Sequence, residues 1–152
     1  MVRIDVELDV PVQEAFDYFA DFRNENEWNV VAHDVVMTTE LPVGAGSSFK
    51  GEYDRMGTLA YEILEYDRPR HLRVRGTSKS FDFVSTFDFS GSGGTSLVRG
   101  TMDPHPKGVM KVLAPLMGTV IKRQTTKGMA SLRKVLESKP RPAAGAAAAA
   151  RD

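Results

Sequence analysis

Only one segment of this 152-residue chain carries a helical apolar stripe long enough to cover a sheet, and it comes last. Val109, Leu113, Leu116 and Val120, then Leu132, Val135 and Leu136, recur at helical spacing through 107–137. Pro115 either kinks this helix or marks a late start. Everything before it is dominated by extended patterns. Val2, Ile4, Val6, Leu8 and Val10 alternate with Arg3, Asp5, Glu7 and Asp9, the signature of a strand with one buried face. Six more strands are predicted near 31–39, 47–54, 58–66, 71–78, 81–90 and 95–103, separated by turn residues at 42–46, 55–57, 67–70, 78–80 and 91–94. Loops this short join antiparallel neighbours. After the first strand, Pro11 stops the ladder, and Val12, Ala15, Phe16 and Phe19 form the stripe of a short helix. Asp21 and Asn24 offer caps for a second short turn of helix over Glu25–Trp28. The expected fold is therefore α+β: a curved seven-stranded antiparallel sheet wrapped around the long C-terminal helix, with two short helices between strands one and two.

Charge is divided along the chain. Residues 1–103 carry 10 basic and 18 acidic side chains, whereas 104–138 carry seven basic ones and only Glu137 against them. An acidic body and a basic C-terminal helix sum to zero, which argues against a polyanionic partner such as nucleic acid. Attraction between helix and sheet is expected to help seat the helix. The chain has no cysteine, so disulfides, thiolate metal sites and a cysteine nucleophile are excluded. The start alternates from Val2 onward and shows no secretory pattern, so the expected compartment is the cytoplasm. Val109 to Ile121 is the longest apolar stretch, and Lys111, Pro115 and Gly118 interrupt it, so no stable membrane insertion is expected. Residues 1–138 are expected to form one domain. The Ala- and Pro-rich segment 139–152 offers little to bury and is expected to be a disordered tail.

In order and spacing, several segments together resemble the START/polyketide-cyclase (SRPBCC) superfamily, which has the helix-grip fold. They are Ala15-Phe16-Asp17-Tyr18-Phe19-Ala20-Asp21 leading to Trp28-Asn29; Pro42-Val43-Gly44-Ala45-Gly46; Tyr61 through Leu72; Gly93-Gly94-Thr95; and Leu132-Arg133-Lys134-Val135-Leu136-Glu137. The resemblance spans roughly residues 2–137. It implies a deep apolar cavity between sheet and helix, but similar folds carry lipids, bind hormones and quinones, or cyclise polyketides, so activity must be argued from the site.

The aromatic row Phe81, Phe83, Ser85, Phe87 and Phe89 lies on one face of its strand. It is either packed core or, because one helix does not fill a concave sheet, the wall of a ligand pocket. The expected ligand-binding set is Trp28, Phe49, Tyr53, Tyr61, Phe81, Phe83, Ser85, Phe87, Leu113, Met117 and Gln124. On the long helix, continuing inward from Met117 and Ile121 lands on Gln124, Thr125 and Gly128, which face either a ligand or, if the helix rotates, solvent. Catalytic signals are thin. His33 shares the parity of Val31, Val35 and Met37, so alternation points it inward, as a hydrogen-bonded core residue or a general base. Tyr53 and Gln124 are the other catalytic candidates. Arg73 and Arg75 should face solvent beside Glu62 and Asp82, whereas Arg99 is not oriented by parity. No His pair has ligand spacing, so no metal or other cofactor is expected.

Three functions fit this pattern. The first is a binding or carrier protein for a hydrophobic small molecule such as a lipid, polyketide or quinone. The second is a polyketide cyclase or dehydratase working in the same cavity. The third is a protein-interaction module with a filled core.

Overall fold

The computed structural model describes residues 1–139 and realises the predicted element order. Strand β1 (Val2–Leu8) is followed by helices α1 (Val12–Ala20) and α2 (Glu25–Trp28), with a 3-10 turn at Phe22–Asn24 between them. Strands β2 (Ala32–Met37), β3 (Ser48–Tyr53), β4 (Gly57–Asp67), β5 (His71–Thr77), β6 (Phe81–Ser92) and β7 (Thr95–Pro106) follow. A 3-10 turn at Gly108–Lys111 then leads into α3 (Ala114–Ser138). The seven strands form one antiparallel sheet in the order β1-β7-β6-β5-β4-β3-β2. The proposed tail lies, apart from Lys139, outside the described residues.

The strand boundaries differ from expectation mainly in the last hairpin, where β7 runs on to Pro106 opposite Phe81. Prolines 104 and 106 are tolerated because β1 begins at Val2, opposite Met102, leaving that side of β7 beyond it without a neighbour that needs their missing N–H groups. Arg99 is exposed, in register with Asp5 on one side and Asp88 on the other. Arg73 and Arg75 face solvent and pair with Glu65 and Glu62.

Two helical layers cover the concave face. Helix α1 buries Ala15, Phe16, Phe19 and Ala20, and Phe16 packs edge-on against Tyr66 and Phe89 at 5.2 and 5.0 Å between ring centroids. Arg68 clamps Asp17 with two hydrogen bonds of 2.7 and 2.8 Å, tying α1 to the β4–β5 turn. The C-terminal half of α3 buries Met129, Leu132 and Leu136 beside β1, and the Ser131 hydroxyl donates to the Trp28 carbonyl oxygen at 2.5 Å.

The 3-10 turn and the N-terminal half of α3 depart from the sequence reading. Val109, Leu116 and Val120 are exposed, at 82, 63 and 64% of their surface. The C-terminal half sets the phase of this helix. Counting back by four from Met129 reaches Thr125, Ile121 and Met117, so these residues turn inward, while Leu116 turns outward and Val120 borders the cavity from the solvent side. Of the two roles open to Pro115, the late start is the one observed, since it sits in the first turn of α3.

Among the described residues, the expected attraction between helix and sheet is not carried by ion pairs of α3; the pairs lie just outside it, one to β6 and one to α2. Lys107 pairs with Asp82 and Lys139 with Glu27, whereas no cation of α3 itself is paired with the sheet among the described residues.

Gly76 pairs with Phe83 across β5–β6. A Cβ added there would lie 2.2 Å from Phe83 Cζ, so the outer end of the ring occupies the space a side chain would need. Gly76→Ala is expected to destabilise the fold by about 1–3 kcal/mol through this overlap. Urea unfolding measures it, and an unchanged midpoint would mean that the ring does not rest on Gly76.

Candidate functional site

Between the sheet and the N-terminal half of α3 lies a cavity of about 680 Å³. Its formation follows from packing. The inward residues of this half-helix are Met117, Ile121, Gln124, Thr125 and Gly128, which are too slender or too few to fill the curve of the sheet. Gly128 is the clearest case, because a Cβ there would only just touch Trp28, at 3.4 Å.

The wall is a connected set of aromatic rings. Phe22 stacks on Tyr61 at 5.2 Å, and Tyr61 meets Tyr53 and Phe83 edge-on, each at 5.8 Å. Phe81 adjoins Phe83 at 5.9 Å, and Phe87 meets Phe19 at 4.6 Å. Exposed Asp54, Arg55 and Lys127 mark the rim.

Of the eleven residues expected around a ligand, nine line this cavity: Trp28, Tyr53, Tyr61, Phe81, Phe83, Ser85, Phe87, Met117 and Gln124. Two do not. Phe49 is buried but packs edge-on behind Phe22, and it is Phe22 that faces the space. Leu113 is 46% exposed because the 3-10 turn before α3 shifts the phase, giving Met110 the inner position.

His33 also differs from expectation. A bulge between His33 and Val36, with Asp34 at a left-handed φ of 54°, resets the alternation so that Ala32 and Val35 point inward. His33 is exposed and its Nε2 lies 2.9 Å from Asp54 Oδ1, outside the cavity wall.

The polar groups inside are few. Ser85 is 2% exposed and its hydroxyl has no protein partner; it also faces a satellite space of about 20 Å³, room for one water.

The residue that sequence reasoning missed is Glu25, 5% exposed in the cavity wall. Its Oε1 accepts from the Tyr53 hydroxyl at 2.9 Å and its Oε2 from Asn29 Nδ2 at 2.7 Å. Burial pushes the carboxyl up to about 7, and the bonds from Asn29 and Tyr53 offset only part of that rise. The Tyr53 and Tyr61 hydroxyls are in turn held above their ordinary range, chiefly by burial and then by the nearby carboxyl. A signal for Glu25 was present in the sequence. Phe22, Glu25 and Trp28 recur every third residue, which puts a carboxyl on the same side as two aromatics. Among the described residues, no cluster of His, Cys, Asp and Glu could hold a metal ion, and no helix is long and apolar enough to cross a membrane.

A curved sheet closed by one long helix over an aromatic cavity defines a protein of the helix-grip fold. The chain belongs to the family described as polyketide cyclase / dehydrase and lipid transport, whose profile matches residues 1–137. A search of curated proteins by sequence returns no match. Among solved structures, the Zhui aromatase/cyclase from Streptomyces sp. R1128 is similar with a TM-score of 0.75 at 13% identity, over 90% of this chain and 92% of that one. TTHA0849 from Thermus thermophilus gives 0.74 at 15% identity, over 89% and 95%. Norcoclaurine synthase from Thalictrum flavum, in complex with dopamine and hydroxybenzaldehyde, gives 0.64 at 12% identity, over 92% and 88%. At these identities the likeness is one of fold.

Proposed function

We propose that this protein binds a hydrophobic small molecule, a lipid, polyketide or quinone, between the sheet and α3. The observation that carries this reading is the aromatic-walled cavity of about 680 Å³. Transfer of an apolar ligand from water onto such walls is favourable, and a few polar groups suffice to orient it. The family description, which joins lipid transport to polyketide chemistry, supports the same reading. A second reading, cyclase or dehydratase, is favoured by one observation: an ionisable group, Glu25, stands inside an otherwise apolar space. Zhui is an aromatase/cyclase on this fold, which supports that alternative. Tyr53 and Gln124 remain its candidate hydrogen-bonding groups.

The test is titration with the fluorescent probe N-phenyl-1-naphthylamine on wild type and Gly128→Leu. The leucine side chain would occupy the space that glycine leaves beside Trp28, while the helix gains roughly 1 kcal/mol in propensity. Probe affinity should fall by at least about tenfold, the loss of one well-fitted contact, with the melting temperature unchanged or higher. Equal binding by both proteins would remove the cavity as the binding site.

A further inference from the structure

We propose that Glu25 is the proton-transfer group of this cavity, its carboxylate accepting a proton from a carbon next to a carbonyl group in the bound molecule. The proposal rests on the reading that the cavity takes up an apolar molecule, and it narrows that molecule to one that can form an enolate.

The geometry separates Glu25 from an ordinary structural carboxylate. Buried acidic groups usually pair with a cation or bond to backbone N–H groups. Glu25 does neither among the described residues: its only partners are the Tyr53 hydroxyl and the Asn29 amide. Each carboxylate oxygen therefore accepts one bond and keeps further acceptor capacity for a ligand. Its partners come from separate places, Tyr53 from β3 and Asn29 from the end of α2. Asn29 is itself held, since its Oδ1 accepts from the Val31 N–H at 3.3 Å. Base and orienting groups are thus fixed before a ligand arrives.

No other charge on the surrounding elements contacts this carboxyl. Arg23, two residues earlier, is taken up by Asp21, and Glu27 by Tyr18 and Lys139. From the β3–β4 turn, Asp54 is paired with His33, and Arg55 lies exposed at the rim, as does Lys127 from α3. The neutral Tyr53 and Tyr61 hydroxyls are the remaining titratable groups beside it. With its carboxyl raised to about 7, Glu25 is divided between both protonation states near neutrality, the condition in which a group can take a proton and return it.

The step balances without a co-reactant. The C–H bond breaks, the proton passes to Glu25 to give the neutral acid, and the electron pair remains as the enolate. If the acid exchanges its proton with solvent before returning one to carbon, the net result in D2O is replacement of that hydrogen by deuterium. If a second carbonyl of the same molecule lies within reach, the enolate carbon bonds to it instead, and the new alkoxide takes the proton from Glu25.

The experiment follows hydrogen–deuterium exchange at the activated carbon of 2-tetralone by NMR in D2O. It uses wild type, Glu25→Gln and Tyr53→Phe, with tetralone occupancy measured by displacement of the naphthylamine probe. At equal occupancy, wild type should exchange at least about tenfold faster than Glu25→Gln, within the usual range for acid–base catalysis. Tyr53→Phe, which removes a bond to the carboxylate, should move the midpoint of the pH–rate profile upward. Exchange by Glu25→Gln equal to wild type would overturn the proposal, as would tetralone binding to wild type with exchange no faster than buffer. If the glutamine variant does not fold, the wild-type profile decides. A plateau with a midpoint near 7 supports Glu25, and a rate that simply tracks hydroxide overturns it. Failure of both probes to bind is a different result, one that removes the cavity reading and this proposal with it.

Discussion

Phe16→Ala should be the most damaging single truncation, lowering stability by about 3–5 kcal/mol. Phe16 has no exposed surface, and it is the knob by which α1 engages Tyr66 of β4 and Phe89 of β6. Its removal forfeits the transfer energy of a large ring and two edge-to-face contacts, and it leaves a void that the surrounding strands cannot collapse to fill. The exposed Asp17–Arg68 pair cannot compensate, because pairs of this kind contribute at most about 1 kcal/mol. Urea unfolding is the measurement, with Leu116→Ala as the contrast, since Leu116 is 63% exposed and should change the midpoint little. A loss below about 1 kcal/mol for Phe16→Ala, the level of an ordinary surface change, would mean that α1 is not docked as described.

The second large effect depends on pH. The carboxyl of Glu25 titrates near 4.5 in the unfolded chain and near 7 in the folded one. Between these values the folded state holds the proton more tightly, so the stability contributed by the neutral acid is fully present below 4.5 and lost as pH rises through about 7. The shift corresponds to about 3 kcal/mol. Glu25→Gln has no such titration. The two proteins should be similarly stable near pH 4, and the variant should be the more stable by about 3 kcal/mol at pH 8. For a chain of this length that is a rise of about 2–4 °C in melting temperature per kcal/mol. Parallel stability curves for the two proteins between pH 4 and pH 8 would show that Glu25 does not titrate in a buried site. Because the comparison is between variants, the contribution of His71, raised by its bond to Asp88 and likewise lost as pH rises, cancels.

The sheet was legible because antiparallel strands with one buried face write their orientation into the sequence, as Phe81 to Phe89 do. The cavity wall was legible for a less specific reason: aromatic residues suit a packed core and a pocket equally, so periodicity put most of the expected set on the right face without saying that space remained. Three features escaped the periodicity. A single inserted residue in β2 turned His33 outward, and nothing in Val31–Met37 announces that Asp34 adopts a left-handed conformation. The N-terminal half of α3 carries more aliphatic residues outside than inside, so its pattern points the wrong way, and only the phase of Met129, Leu132 and Leu136 corrects it. Glu25 reads as a solvated first-turn acid of a short helix. Its burial depends on Tyr53 and Tyr61, contributed by strands that follow much later.

The strand order also has a consequence for how the chain assembles. Every pairing from β2 to β7 joins neighbours in sequence, but β1 adds to β7, with Val2 opposite Met102 and Leu8 opposite Ser96. The meander can zip by successive local closures, whereas docking of the first strand requires nearly the whole domain to exist, a non-local step of the kind that slows folding. Helix α3 then rests on that same strand, with Glu137 accepting from the backbone N–H of Asp9. During synthesis β1 is the first strand of the sheet to emerge and the last to find its partner. Until it does, β7 presents a long open edge on which a second nascent chain could pair.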